Sequence, residues 1–146
     1  MKGDKKEAKL LRSLAVGAYS KSIKNRKTDS DWLSYNDESN KKFIDDPLCG
    51  YLSSNGFYKE LLKGNARLYK NKFLNKIRKD LPVYLIAGKD DPVGAFGKGP
   101  ANLAKLYKKI GLTNVELKIY DNMRHEILNE VNHDIVYNDI LEFIKK

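Results

Sequence analysis

Residues 81–88, LPVYLIAG, constrain the fold of this chain more than any other stretch. The run is apolar throughout and contains Val and Ile. Pro82 stands near its start and Gly88 ends it. Such a short apolar run is typical of a strand that is buried on both faces of a parallel sheet. We therefore predict a strand here, with sheet neighbours and helices covering it.

Three further segments follow this strand in a regular order. Residues 101–110 have apolar side chains at helical spacing and end before a glycine. Residues 114–120, NVELKIY, alternate between apolar and polar and predict a second strand, and residues 131–146 return to helical spacing. Strand, helix, strand, helix at these lengths predicts a parallel α/β sheet.

The first 80 residues predict helices and no strand. Apolar spacing indicates a helix over 4–19, a short helix over 37–44 and a long amphipathic pattern over 57–77 that is interrupted at Gly64. A polar loop over 20–34 separates the first two helices. Because two strands do not form a stable sheet alone, the predicted sheet is incomplete.

The net charge of +9 lies entirely in the first part of the chain. Residues 1–80 hold 19 Lys and Arg against 10 Asp and Glu, whereas residues 81–146 hold nine of each. A basic surface suits nucleic acid, anionic lipid or an acidic partner. The lysines are scattered and no nucleic-acid module is present, so we favour a solvated surface and expect no nucleic-acid partner.

Composition also bears on localisation. The single Cys49 excludes a disulfide within the chain, and no stretch approaches the roughly 20 apolar residues of a membrane span. We therefore expect a cytoplasmic protein.

An acid and a histidine follow the two predicted strands. Asp90 and Asp91 come after the first strand, and His125 comes after the second. Carboxyl ends of parallel strands meet at one edge of a sheet, where functional groups gather. A carboxylate there can orient an imidazole that acts as a general base, and the order acid then histidine suits the Ser, acid, His order of α/β-hydrolases. Local sequence leaves both aspartates open.

The stretch from residue 81 to 130, with its GKDDPV and RHEILNE runs, resembles the C-terminal part of the α/β-hydrolase family that includes monoacylglycerol lipases, lysophospholipases and serine aminopeptidases. TDSDWLSYN and DDPLCGYLSSNGFYKELLKG resemble the cap of that family. The resemblance implies a helical cap over 1–80 and, over 81–146, the last two parallel strands and two helices of an α/β-hydrolase fold with an incomplete sheet.

The resemblance also implies site residues. It assigns the catalytic acid to Asp91 and the catalytic histidine to His125. Four side chains of the cap region either line an acyl-binding site or serve only for packing: Trp32, Leu33, Phe57 and Tyr58. No cofactor is expected, and no metal site is expected either, since Asn129 stands where a His-Glu-x-x-His zinc motif would need its second histidine.

The 146 residues contain no Gly-x-Ser-x-Gly elbow, which would carry the nucleophile. We therefore expect a C-terminal fragment of a hydrolase of carboxylic esters, such as monoacylglycerols or lysophospholipids, that is inactive alone. One alternative is half of a split hydrolase that pairs with an N-terminal half in a separate chain. Another is a basic interaction module without catalysis. An unpaired strand edge would in each case favour self-association.

Overall fold

The structure is a computed structural model that describes residues 3–146. Six helices and two strands are present in this range. Their order along the chain is α1 (Lys9–Ser22), α2 (Asp37–Asp45), α3 (Asn55–Leu68), α4 (Asn71–Leu74), β1 (Val83–Gly88), α5 (Lys98–Lys109), β2 (Val115–Tyr120) and α6 (His133–Ile144).

The two strands form a parallel pair with α5 as the crossover. The register runs from Val83 opposite Val115 to Gly88 opposite Tyr120. Both predicted strands are therefore present, and the shared register brings their carboxyl ends to the same edge of the sheet. The expected β-α-β-α core is confirmed.

Helices cover both faces of this pair. Because side chains alternate along a strand, odd and even positions of β1 face opposite layers. On one face, Val83 and Leu85 pack with a cluster built around Ala104 of α5. On the other face, Ile86 packs with a cluster that contains Val136 of α6. These two small layers hold most of the buried apolar side chains of the molecule.

The degree of burial of β1 differs from the prediction. Only Gly88 is buried, and the five residues before it, 83–87, are half-buried. Within residues 3–146 the strand pairs with β2 alone, so its second long edge has no hydrogen-bonded neighbour. The helices cover the faces, but no strand shields this edge, and the side chains remain partly exposed.

The predicted start of the first helix is wrong. The first helix begins at Lys9 rather than at residue 4, because the preceding residues pair with a distant segment. The N–H of Ala8 donates to the carbonyl of Ser53 at 3.0 Å, and the N–H of Asn55 donates to the carbonyl of Lys6 at 2.9 Å. These long-range bonds replace the first helical turn that the spacing predicted.

The predicted interruption at Gly64 is also absent, since α3 runs through it from Asn55 to Leu68. The side chain of Ser54 caps this helix by accepting the N–H of Phe57 at 3.2 Å. A single exposed glycine costs a helix only about 1 kcal/mol relative to alanine, which the cap and the remaining turns offset. A division of the chain at residue 80 stays a prediction.

Within residues 3–146, no helix combines the length and the apolar character that crossing a membrane requires.

Candidate active site

The two loops that follow the strands are held in direct contact. The N–H of Lys89 donates to the carbonyl of Tyr120 at 2.8 Å, and the N–H of Asp90 donates to the carbonyl of Met123 at 3.0 Å. At Gly88, an added Cβ would lie 2.2 Å from the carbonyl oxygens of both Met123 and Arg124. Only glycine leaves room for this approach, which brings the acidic loop, residues 89–97, onto the histidine loop, residues 121–132.

Asp91 and His125 meet at this edge. The Nδ1 atom of His125 lies 3.2 Å from Oδ2 of Asp91, whose side chain is almost fully buried. Two backbone N–H groups of its own loop orient the carboxylate, that of Val93 to Oδ1 at 2.8 Å and that of Gly94 to Oδ2 at 3.1 Å. The carboxylate is thus held rigidly against one ring nitrogen of the histidine.

The surroundings of His125 favour its protonated form. The hydrogen bond to Asp91 raises the pKa of the imidazole above its ordinary value, and this effect exceeds the opposing effect of partial burial. The side chain is 39% exposed. Its other ring nitrogen, Nε2, makes no hydrogen bond within residues 3–146, so this nitrogen is available to exchange a proton with a reacting group.

Asp90, the other candidate acid, contacts a different residue. The hydroxyl of Tyr35 donates to Oδ2 of Asp90 at 2.9 Å. The two consecutive aspartates thus have separate partners: Asp90 contacts Tyr35 and Asp91 contacts His125. The geometry favours Asp91 as the acid that orients the imidazole.

Residues 3–80, the predicted cap region, contact the histidine loop through residues 31–36, the cap segment. The N–H of Glu126 donates to the carbonyl of Leu33 at 2.7 Å. The guanidinium of Arg124 donates to the carbonyls of Asp31 and Ser34 and lies 3.8 Å above the ring of Tyr35. The residue beside the histidine therefore fixes the cap segment.

Glu130 completes this contact and is the least expected residue of the site. Its side chain is 1% exposed, yet each carboxylate oxygen has a donor. Oε1 accepts the N–H of Arg124 at 2.7 Å, and Oε2 accepts the hydroxyl of Ser34 at 2.8 Å and the N–H of Tyr35 at 2.9 Å. A buried carboxylate with all of these partners links the cap segment to the residue that precedes His125.

The local sequence predicted no role for Arg124 or Glu130. Both lie in the quoted RHEILNE run, and the only signal was an acidic residue close to the apolar start of the last helix. That pattern also fits a solvated helix start, so the buried hydrogen bonds of Glu130 could be found only in three dimensions.

A cavity of about 690 Å³ lies in the cap region, lined by parts of α1, α2, α3 and their connecting loops. Of the four predicted substrate-binding residues, Trp32 and Tyr58 line it. Leu33 is buried outside the cavity wall, and Phe57 is 51% exposed with its ring edge against Tyr58. The ring of Trp32 lies 5.3 Å from that of His125, so it connects the cavity to the candidate base. Whether these residues bind substrate stays a prediction.

Residues 3–146 contain no group of three or more His, Cys, Asp or Glu side chains placed to hold a metal ion.

A parallel β-α-β-α unit beneath a helical region, with an acid after one strand and a histidine after the next, defines part of an α/β-hydrolase fold. Comparison with known families agrees. The family model described as serine aminopeptidase, S33, matches residues 2–132, and the chain belongs to that family. A search of curated proteins returned no match.

Solved structures with this architecture include a thermostable carboxyl esterase from Bacillus coagulans in complex with glycerol. It is 27% identical, with a TM-score of 0.84 over 99% of this chain and 47% of the esterase. A soluble variant of the Saccharomyces cerevisiae monoglyceride lipase with a substrate analogue is 20% identical, with a TM-score of 0.67 over 92% of this chain and 48% of the lipase.

The Paleococcus ferrophilus monoacylglycerol lipase is 18% identical, with a TM-score of 0.63 over 97% of this chain and 55% of the lipase. At these identities the two lipases establish the fold alone. The chain spans about half the length of the solved structures it matches, and its sheet is correspondingly a part of the complete α/β-hydrolase sheet.

Proposed function

We propose that this chain provides the acid and the base of a serine hydrolase that cleaves carboxylic esters. One observation carries the proposal: Nδ1 of His125 lies on a buried carboxylate oxygen of Asp91, at the edge of the sheet where parallel strands end. The nucleophilic serine is supplied from outside these 146 residues, and the chain is inactive alone.

In the proposed reaction, the serine hydroxyl attacks the ester carbonyl while Nε2 of His125 takes its proton. Asp91 holds the ring through Nδ1 and stabilises the imidazolium that forms. His125 then gives the proton to the leaving alcohol, which leaves an acyl-enzyme. A water molecule repeats the sequence with the same base, releasing the acid and restoring the serine.

The proposed substrates are esters of one fatty acid, such as monoacylglycerols or lysophospholipids. The similarity to a carboxyl esterase, a monoglyceride lipase and a monoacylglycerol lipase supports this class. The cavity beside Trp32 supports it as well, since its volume is in the range of small-molecule sites and it reaches the ring next to His125.

The experiment is a chimera in which this chain replaces the matching half of the Bacillus coagulans carboxyl esterase. We expect the folded chimera to hydrolyse p-nitrophenyl butyrate. His125→Gln should lower kcat at least about 100-fold, because a general base contributes that much. The matched control is His133→Gln, which changes the other histidine of the chain and should keep the activity.

A folded chimera without hydrolysis, or one equally impaired by His133→Gln, would contradict the proposal. A second measurement treats the isolated chain with a fluorophosphonate probe that labels activated serines. We expect no labelling, and a labelled serine within the 146 residues would overturn the claim that the nucleophile lies elsewhere.

A hydrolase formed from two chains is the second candidate. One edge of β1 has no strand neighbour within residues 3–146, and α1 and α3 expose apolar side chains; both features favour it. An N-terminal half in a separate chain would extend the sheet at this edge and supply the serine. Co-expression of the chain with such a half should then give a complex that hydrolyses esters, whereas mixing with no gain of activity would reject this form.

A further inference from the structure

The cavity in the cap region carries an unbalanced charge. Four cationic side chains and a single carboxylate line it: Lys9, Arg12, Lys21, Arg26 and Asp29. A concave surface lined by one sign of charge raises the local concentration of ligands of the opposite sign. The wall of the cavity is therefore electropositive.

Two of the cations have partners. Nε of Arg26 lies 3.7 Å from a carboxylate oxygen of Asp29, the only acid of the wall, but the Asp29 side chain is 90% exposed and the pair is weak. Lys9 lies 3.8 Å from Glu7, but both side chains are more than half exposed, and such surface pairs are weak. The pairings do not neutralise the cavity.

Arg12 and Lys21 supply the remaining positive charge. Neither forms an ion pair or a side-chain hydrogen bond within residues 3–146, and Arg12 is half-buried in the wall. A guanidinium offers a planar set of donors that matches phosphate or carboxylate oxygens. Lys21 is exposed and lies nine positions from Arg12 along α1, so the two side chains add positive charge to separate parts of the wall.

The rest of the wall is mixed, with four serines, two glycines and a set of apolar and aromatic side chains. Val16, Trp32, Phe43 and Leu52 are partly buried residues of this lining, which suits a hydrocarbon chain. Trp32 also packs on His125 at a ring separation of 5.3 Å. A ligand with a chain and an anionic head would thus occupy a cavity whose wall includes Trp32, the residue that packs on His125.

We propose that this cavity binds single-chain lipid esters with a phosphate headgroup and distinguishes them from neutral monoacylglycerols. The ester assignment rests on the proposed hydrolase function, whereas the preference for an anionic amphiphile rests on the cavity alone. A headgroup with its own cation, such as phosphocholine, gains less from this wall than a bare phosphate.

Trp32 makes the test direct, because it is the only tryptophan of the chain and lines the cavity. Its fluorescence is titrated in the intact 146-residue chain with dodecyl phosphate, with neutral 1-O-dodecylglycerol and with inorganic phosphate, all as monomers in solution. We expect dodecyl phosphate to bind at least about tenfold more tightly than either of the others, and added salt to weaken it.

Substitutions test whether Arg12 and Lys21 cause the preference for dodecyl phosphate. Arg12→Gln combined with Lys21→Gln should remove the advantage of dodecyl phosphate and leave the affinity for dodecylglycerol unchanged. Arg12→Lys should retain part of the advantage. Lys105→Gln is the matched control, since Lys105 is an exposed lysine of α5 outside the cavity wall, and it should alter neither affinity. Circular dichroism confirms that each variant is folded.

Equal binding of the charged and neutral lipids, or an equal loss in Lys105→Gln, would overturn the proposal. Inorganic phosphate that binds as tightly as dodecyl phosphate would also overturn it, because the site would then hold free anions rather than lipids. None of these measurements needs catalysis. If the chimera hydrolyses no ester but the chain still prefers dodecyl phosphate, the hydrolase function is rejected and the binding proposal stands.

Discussion

Gly88 is the residue on which the contact between the two loops depends. Replacing it with alanine would place a methyl group 2.2 Å from two backbone carbonyl oxygens of the histidine loop. We expect Gly88→Ala to lower the free energy of unfolding by about 1–3 kcal/mol, as overpacking typically does, measured by urea denaturation.

The matched control is Gly64→Ala in α3, where an added Cβ meets nothing within 4 Å. In this exposed helix alanine should raise the free energy of unfolding by about 0.5–1 kcal/mol. Equal effects of the two substitutions would show that the close approach at Gly88 is not formed.

His125 and Asp91 give a prediction on pH. Because the hydrogen bond to Asp91 raises the pKa of His125 in the folded state, the pair stabilises the fold below the unfolded pKa of about 6.5. This contribution is lost as the pH rises through the higher folded-state pKa. In Asp91→Asn we expect the pKa of His125, followed by the NMR signal of its ring protons, to fall.

Asp90→Asn is the control for this titration. Its carboxylate contacts Tyr35 rather than the imidazole, so the substitution should leave the pKa of His125 close to that of the unchanged chain. If the pKa of His125 fell more in Asp90→Asn than in Asp91→Asn, Asp90 would be the orienting acid and the assignment of Asp91 would be wrong.

The buried carboxylate of Glu130 joins the cap segment to the histidine loop. Glu130→Ala would leave three donors without their acceptor: the hydroxyl of Ser34 and the N–H groups of Tyr35 and Arg124. An unsatisfied buried group costs about 1–3 kcal/mol. We expect a loss of about 3 kcal/mol in the free energy of unfolding.

The same substitution should loosen the two elements locally. Hydrogen exchange of the Glu126 amide, which donates to Leu33, should accelerate more in Glu130→Ala than the exchange of amides in α5. The control is Glu142→Gln, an exposed position of α6, which should change neither stability nor exchange. Unchanged protection of Glu126 in Glu130→Ala would contradict the proposed link.

For the whole molecule, the prediction concerns association. The open edge of β1 and exposed apolar side chains such as Leu10 and Leu14, at 72% and 66% exposure, favour contact between copies. We expect sedimentation velocity to show a mass that increases with concentration. High salt should not dissolve the assemblies, because apolar contacts and backbone pairing are not screened. A monomer at every concentration would contradict this prediction.

Periodicity in the sequence determined most of the elements of this protein. The alternation of NVELKIY, the apolar run before Gly88 and the helical spacing of the last residues correctly predicted two parallel strands and their helices, because each pattern reports which face of an element is buried. The order of acid and histidine and the resemblance to α/β-hydrolases indicated the family before any geometry was known.

Only the tertiary structure determined which contacts adjacent residues make. Asp90 and Asp91 are chemically alike and adjacent, and only the path of the loop directs one to Tyr35 and the other to His125. The late start of α1 came from pairing with residues about 50 positions away, and the burial of Glu130 came from contact with Ser34. Local sequence describes an element and its faces, whereas these features depend on which distant groups a side chain meets after folding.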